Sequence, residues 1–275
     1  MKKNILSFIF LVFITEALTA QKKDTINYYP IKTKRITTCR VPYDSIGIQS
    51  KFGKGLIVPV ILIGYGLTTL HNYGLYSSYQ MHKDINKTFP HAKSSIDNYL
   101  IYSPYFEFAT LLLLKIKNKD DLLNTTILII KSEILMNIII WPMKKWTHEE
   151  RPYSYDNKLN GIPLSERKKD KQAFLSMPSG HTAEAFLAAT VVYKEYRCRS
   201  QWYGIIAYTL ASTVGLYRMI NDKHWESDVF VGAGIGILSA NMAYVFHQHR
   251  WGRHEVVCLP TMIDGTKGIM LSCKF

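Results

Sequence analysis

The sequence predicts an all-α protein, a bundle of about six core helices followed by a short C-terminal β-hairpin tail. Three observations carry this. From about residue 55 the chain is a succession of apolar segments at helical length, made mostly of good helix formers. Apolar side chains recur in them at helical spacing, as in Leu123, Ile127, Ile130, Ile134 and Ile138. Strand-like character is confined to the tail after about Glu255. The chain has 275 residues, 47% hydrophobic and 20% charged, which excludes disorder and polar low complexity and leaves ample material for a core.

In chain order, Met1-Lys2-Lys3-Asn4, the apolar run Ile5 to Ile14 and the exit Ala17-Leu18-Thr19-Ala20 have the layout of a secretory signal over residues 1–20. The run is too short to favour a stable span; Glu16 and Leu18 depart from the usual exit and leave an uncleaved anchor as the alternative. A polar extension follows over 21–54, then a helical domain over 55–254 with segments at 55–70, 97–115, 122–143, 181–197, 202–219 and 227–247. Lys131 and Glu133 sit in the middle of one segment, Glu184, Lys194 and Glu195 in another, and Pro104 and Glu107 interrupt a third. Each charge at a helix centre costs about 2.5–3.5 kcal/mol in a bilayer. With a mean hydropathy of −0.04, these charges favour an exported, periplasmic or envelope domain resting on a membrane surface over an integral one. In the tail, residues 255–275, a four-residue loop Asp264 to Lys267 sets Cys258 opposite Cys273; a bridge there and two unpaired thiols are equally good readings. With Cys39 and Cys198 these cysteines show no paired C-x-x-C spacing, which argues against a zinc knuckle or a thioredoxin-like site.

Lys and Arg number 34 against 21 Asp and Glu, a net charge of +13, of which the first twenty residues supply one unit. Such a surplus favours anionic partners: nucleic acid, anionic lipid or phosphorylated substrates. No nucleic-acid recognition motif is present, and an export signal points away from nucleic acid.

Three polar stretches lie at helix ends. In Lys144-Lys145-Trp146-Thr147-His148-Glu149-Glu150-Arg151-Pro152, Lys144 and Arg151 share a face if the helix runs on to Arg151, after which Pro152 favours an extended exit. Cations there also simply complement a helix dipole. In Ser176-Met177-Pro178-Ser179-Gly180-His181, Ser179 is a natural N-cap and the helix start a ready anion site, although a capped start with an incidental histidine is the ordinary case. In the stretch Leu216 to Gly232, His224 and Asp228 stand four apart, so on one helical turn the carboxylate can reach a ring nitrogen and make the other a better nucleophile or base; plain helix-surface pairs share this spacing.

Together, Lys-x6-Arg-Pro over 144–152, Pro-Ser-Gly-His over 178–181 and Arg-x5-His-x3-Asp over 218–228 resemble the type 2 phosphatidic acid phosphatase and vanadium haloperoxidase superfamily, over about residues 95–250. One departure is Tyr217, where that family usually has serine. The resemblance implies that His224 attacks phosphorus, that Asp228 orients it and that His181 protonates the leaving alcohol. Lys144, Arg151, Arg218, Ser179 and the Gly180 N–H would hold the phosphoryl oxygens. The physical chemistry agrees: fixed cations and helix-terminal donors meet charge developing on the oxygens, and two histidines supply nucleophile and acid. No metal ligand set and no cofactor are expected. His71, His82, His91, His148, His247, His249 and His254 show no comparable partners and read as surface or core residues.

The expected substrate is a phosphorylated lipid or small phosphoester, with an anionic membrane surface as partner. A vanadate-dependent haloperoxidase and a non-catalytic lipid-binding envelope protein are the alternatives. Between Pro152 and Ser176 a long segment with Lys158, Arg167, Lys168, Lys169 and Lys171 reads as a headgroup-facing lid or as an ordinary solvated loop.

Overall fold

The computed structural model describes residues 48–70, 76–90, 92–116, 118–120, 122–251, 255–263 and 266–274, with side chains described between 55 and 247. The expected signal, most of the polar extension, Cys39, His71, His91 and His254 lie outside the described residues, as do the side chains of His249, Cys258 and Cys273.

All six segments anticipated above are helical. They form α1 (Ile48–Thr68), the pair α3 (Asp97–Leu100) and α4 (Ser103–Leu113), α5 (Leu122–Thr147), α8 (Gly180–Tyr196), α9 (Gln201–Ile220) and α10 (Glu226–Trp251). Pro104 does not break a helix. It stands in the first turn of α4, where its missing N–H costs nothing. Three helices were not foreseen: α2 (Ser78–Thr88), and α6 (Pro152–Leu159) and α7 (Leu164–Arg167) within the long segment read as a loop. Helix α1 also begins inside the expected polar extension. The tail pairs β1 (Glu255–Ile263) with β2 (Thr266–Lys274), antiparallel, with Val256 opposite Cys273 and Cys258 opposite Leu271. In this pairing the two cysteines stand out of the expected alignment.

Helix α8 is the axis of the bundle: between Thr182 and Val192 every residue except Glu184 is buried, and α4, α5, α9 and α10 all pack on it. Its alanines at 183, 185, 188 and 189 keep it thin. The closest approach is made by α10. A Cβ on Gly232 would lie 2.5 Å from the Ser179 carbonyl oxygen, and one on Gly236 would lie 2.1 Å from that of Ala183. Only glycine allows this backbone-to-backbone contact, which joins the second polar stretch to the third.

The outer faces are apolar. On α5, Ile130, Ile134, Ile138 and Trp141 are each more than half exposed; Ile57 and Val60 on α1 and Phe106 and Leu113 on α4 are as well. Two helical stretches, from Leu122 and over Glu226–His247, are long and apolar enough to cross a membrane by length and composition. The first has 28% of its apolar window buried and the second 72%, so α5 turns its hydrophobic side outward while α10 fills the core. The mid-helix charges that argued against a span are turned toward other helices: Lys131 Nζ lies 3.4 Å from His247 Nδ1, and Glu133 accepts from the Tyr105 hydroxyl at 2.5 Å.

Candidate active site

Helix α5 ends at Thr147 because His148 adopts a left-handed conformation (φ 46°). It therefore does not run on to Arg151, as the shared-face reading required. Arg151 is instead the extended residue before α6 (ψ 151°), and Pro152 opens that helix rather than an extended exit. The two cations still converge, by tertiary contacts. Lys144 Nζ donates to the carbonyls of Leu175 (2.8 Å) and Ser176 (3.2 Å), the Arg151 N–H to Ala173 O (2.8 Å), and the Ser176 N–H to Glu149 O (3.0 Å). The first polar stretch is thus stitched to the start of the second.

Ser179 caps α8 as expected, its hydroxyl accepting from the Thr182 N–H at 3.4 Å. Its own N–H donates to the Asp228 carbonyl at 3.0 Å. The space above Gly180 is clear, with no atom within 4 Å of where a side chain would begin, and His181 stands half-buried in the first turn. At the third stretch α9 ends at Ile220 and Asp222 turns left-handed (φ 54°). The N–H groups of Lys223 and His224 fold back onto the Arg218 carbonyl at 3.0 and 3.3 Å.

His224 precedes α10 rather than lying in it, yet its Nδ1 reaches Asp228 Oδ2 at 3.4 Å, with both residues buried. The same oxygen accepts from the Ser176 hydroxyl at 2.5 Å and from the Trp225 N–H at 2.9 Å. With Nδ1 directed at the carboxylate, Nε2 is left to carry the lone pair. Burial, and then the charges of Lys144, Arg151, Arg218 and His181, hold the His224 pKa well below its ordinary value. Burial and Arg218 lower His181 to about 4. Both rings are therefore neutral near pH 7, beside three cations. Burial depresses Arg151 too. The buried Nε–H groups of Arg151 and Arg218 find no acceptor among the described residues. Such a donor costs about 1–3 kcal/mol until an acceptor meets it.

The structure brings together Lys144, Arg151, Ser179, Gly180, His181, Arg218, His224 and Asp228. It also adds residues the sequence reading passed over. Ser176, just before the Pro-Ser-Gly-His run, holds Asp228. Asp97 is 2% exposed and accepts from Arg218 at 2.7 Å, and it also accepts from Asn221 Nδ2 at 2.9 Å. A lone aspartate more than a hundred residues from its arginine carries no sequence signal.

His82 is likewise not without partners, as it had been read: carboxylates face both of its ring nitrogens. Arg167 is withdrawn from the basic cluster, paired inward with Glu150 and lying 6.0 Å from the Phe174 ring.

A family profile described as the PAP2 superfamily matches residues 121–252. Among curated proteins, the lipid A 1-phosphatase of Porphyromonas gingivalis is 48% identical over 77 residues, 28% of this chain and 17% of that one. The chain therefore aligns with about a sixth of that relative. Among solved structures, the crystal structure of Aquifex aeolicus LpxE matches with a TM-score of 0.42 and 22% identity, over 64% of this chain and 98% of that one. With the three polar stretches folded onto one centre inside it, the matched region, residues 121–252, is that of a type 2 phosphatidic acid phosphatase (PAP2) superfamily member.

Proposed function

We propose that the protein is a phosphomonoesterase of the cell envelope that dephosphorylates a membrane lipid through a phosphohistidine on His224. The observation that carries this reading is the pair of buried guanidinium Nε–H groups without acceptors, on Arg151 and Arg218, around a neutral, carboxylate-oriented histidine. They match the charge and planar geometry of a phosphoryl group. His224 Nε2 attacks phosphorus as the P–O bond to the leaving group breaks, and His181, having taken the proton of the substrate's monoanion, gives it to that oxygen. Water then attacks phosphorus as the P–N bond breaks, and its proton passes through His181 to the departing phosphate, which restores both rings. Lys144, the two arginines and the first N–H groups of α8 bear the charge on the nonbridging oxygens. This chemistry asks for no metal.

The outward apolar faces of α1, α4 and α5 support a membrane-embedded enzyme working on lipid, and the similarity to a lipid A 1-phosphatase narrows the proposed substrate to a phosphorylated glycolipid. The test is phosphate release from lipid A, phosphatidate, a polyprenyl phosphate and a soluble aryl phosphate by the full chain in detergent, beside His224→Ala. Release from the lipids, abolished in the variant, with acid-labile phosphoprotein only in the unsubstituted protein, is expected. Unchanged release by His224→Ala refutes the mechanism. Halide oxidation dependent on vanadate and peroxide, without phosphate release, refutes the function.

A further inference from the structure

Behind the nucleophile lies a cluster that the mechanism does not use. His82, on α2 and outside the family-matched residues, is held between two carboxylates. Its Nε2 is 3.1 Å from both oxygens of Asp156 on α6, and its Nδ1 is 3.5 Å from Asp222 Oδ1. Asn86 Nδ2 lies 3.4 Å from the same Nε2, and Lys93 pairs with the other oxygen of Asp222. The ring edge packs on Trp225, centroids 5.3 Å apart. Trp225 follows the nucleophile directly; its indole donates to Glu150 O at 2.6 Å and its N–H to Asp228.

Asp222 explains what such a clamp is for. It is 2% exposed, left-handed, and two residues before His224. For a non-glycine residue that conformation costs about 1–2 kcal/mol and persists where the surroundings enforce it. Its carbonyl accepts from the Tyr153 N–H at 3.1 Å; one carboxylate oxygen pairs with Lys93, and the other, without a hydrogen bond among the described residues, faces His82 Nδ1 at 3.5 Å as a charge contact. His82, Asp156 and Asp222 also have the donor types of a cation site, with ligand atoms within 4.8 Å of one another. An ion, however, takes one ring nitrogen, whereas here each nitrogen faces its own carboxylate and Lys93 already balances Asp222.

We propose that His82 is a positioning residue: bridging Asp156 and Asp222, it fixes the left-handed turn that delivers His224 to the phosphoryl group. The inference rests on the phosphohistidine reading above. Its test compares His82→Ala, His82→Gln and Asp222→Asn in the full chain, using a soluble phosphoester with inorganic phosphate and vanadate as competitors. Vanadate reports alignment of the nucleophile, and phosphate reports the cation cradle. His82→Ala is expected to lower kcat about 10–100-fold, the usual cost of a misplacement near 1 Å, and to weaken vanadate inhibition in parallel. KM and phosphate inhibition should barely move. His82→Gln, which keeps bulk and one donor, should fall between. The double variant His82→Ala/Asp222→Asn should lose no more than the worse single variant, because both break one contact.

Unchanged kcat in His82→Ala overturns the inference. So does a parallel loss of kcat, phosphate affinity and melting temperature in His82→Gln, which marks a purely structural role, or a stoichiometric divalent metal lost in His82→Ala. If the unsubstituted protein releases no phosphate, the functional reading fails and this inference with it; normal release with an unaffected His82→Ala sinks the inference alone.

Discussion

Replacing Gly232 by alanine tests whether the close approach of α10 to α8 builds the active site. The added Cβ would stand 2.5 Å from the Ser179 carbonyl oxygen and 3.4 Å from the Ser179 Cβ. An ordinary contact begins at 3.4 Å, so the two backbones must part by about 0.9 Å, and neither partner is a flexible side chain that can swing aside. Overpacking of this kind costs about 1–3 kcal/mol. The displaced residue caps α8, precedes the Gly180 N–H and donates to the Asp228 carbonyl. The shift therefore falls between the helix start proposed to bind phosphate and the carboxylate of the proposed nucleophile. A misplacement near 1 Å costs about 10²-fold in rate.

Gly232→Ala should accordingly lower both the melting temperature and kcat/KM for phosphate release. Gly64→Ala is the control: its Cβ meets nothing within 4 Å, and removing a helical glycine stabilises by about 0.5–1 kcal/mol. Wild-type melting and kcat/KM in Gly232→Ala would show that the bundle absorbs the methyl without moving the site, and would refute the reasoning.

Two further outcomes are expected. Asp97→Asn keeps an acceptor for Arg218 but removes the balancing charge, so kcat/KM should fall about tenfold with modest loss of stability, whereas Asp97→Ala strands a buried guanidinium and should destabilise by about 3–5 kcal/mol; equal effects of the two in melting and phosphate-release assays would contradict the pairing. With His181 held at about 4, the free enzyme carries a neutral ring at working pH, and the proton for the leaving group must enter with the substrate's monoanion. The expected kcat/KM therefore falls as pH rises past the ester's second pKa of about 6, and His181→Ala should flatten that limb and lose least activity on an ester with an acidic leaving alcohol; a pH–rate profile flat above 6 would rule this out.

Much of the site was legible because its residues cluster within short motifs. Ser179 caps a helix wherever its neighbours permit one, and His224 and Asp228 are close enough in sequence to meet even though the helix begins two residues later than the spacing argument assumed. The Lys144–Arg151 argument assumed a route the chain does not take: the helix stops before His148, and the loop from Ala173 to Ser176 brings the two cations together. The mid-helix charges bear less on a span than composition implies, for a related reason. Composition counts Lys131 and Glu133 against a span, but a helix has sides, and these two face partners while the isoleucines flanking them, Ile130 and Ile134, face out.

By itself, the sequence determined the helical segments, because apolar period and helix propensity are local, and it singled out the candidate site residues, because each motif is compact. Only the tertiary structure decided what holds those groups in place. Asp97 reaches Arg218, and His82 reaches Asp222, from helices distant in sequence, and Ser176 reaches Asp228 across the bundle. Such contacts leave no periodicity to read. They arise where glycines let two backbones meet and where a buried charge requires a partner within a few ångströms.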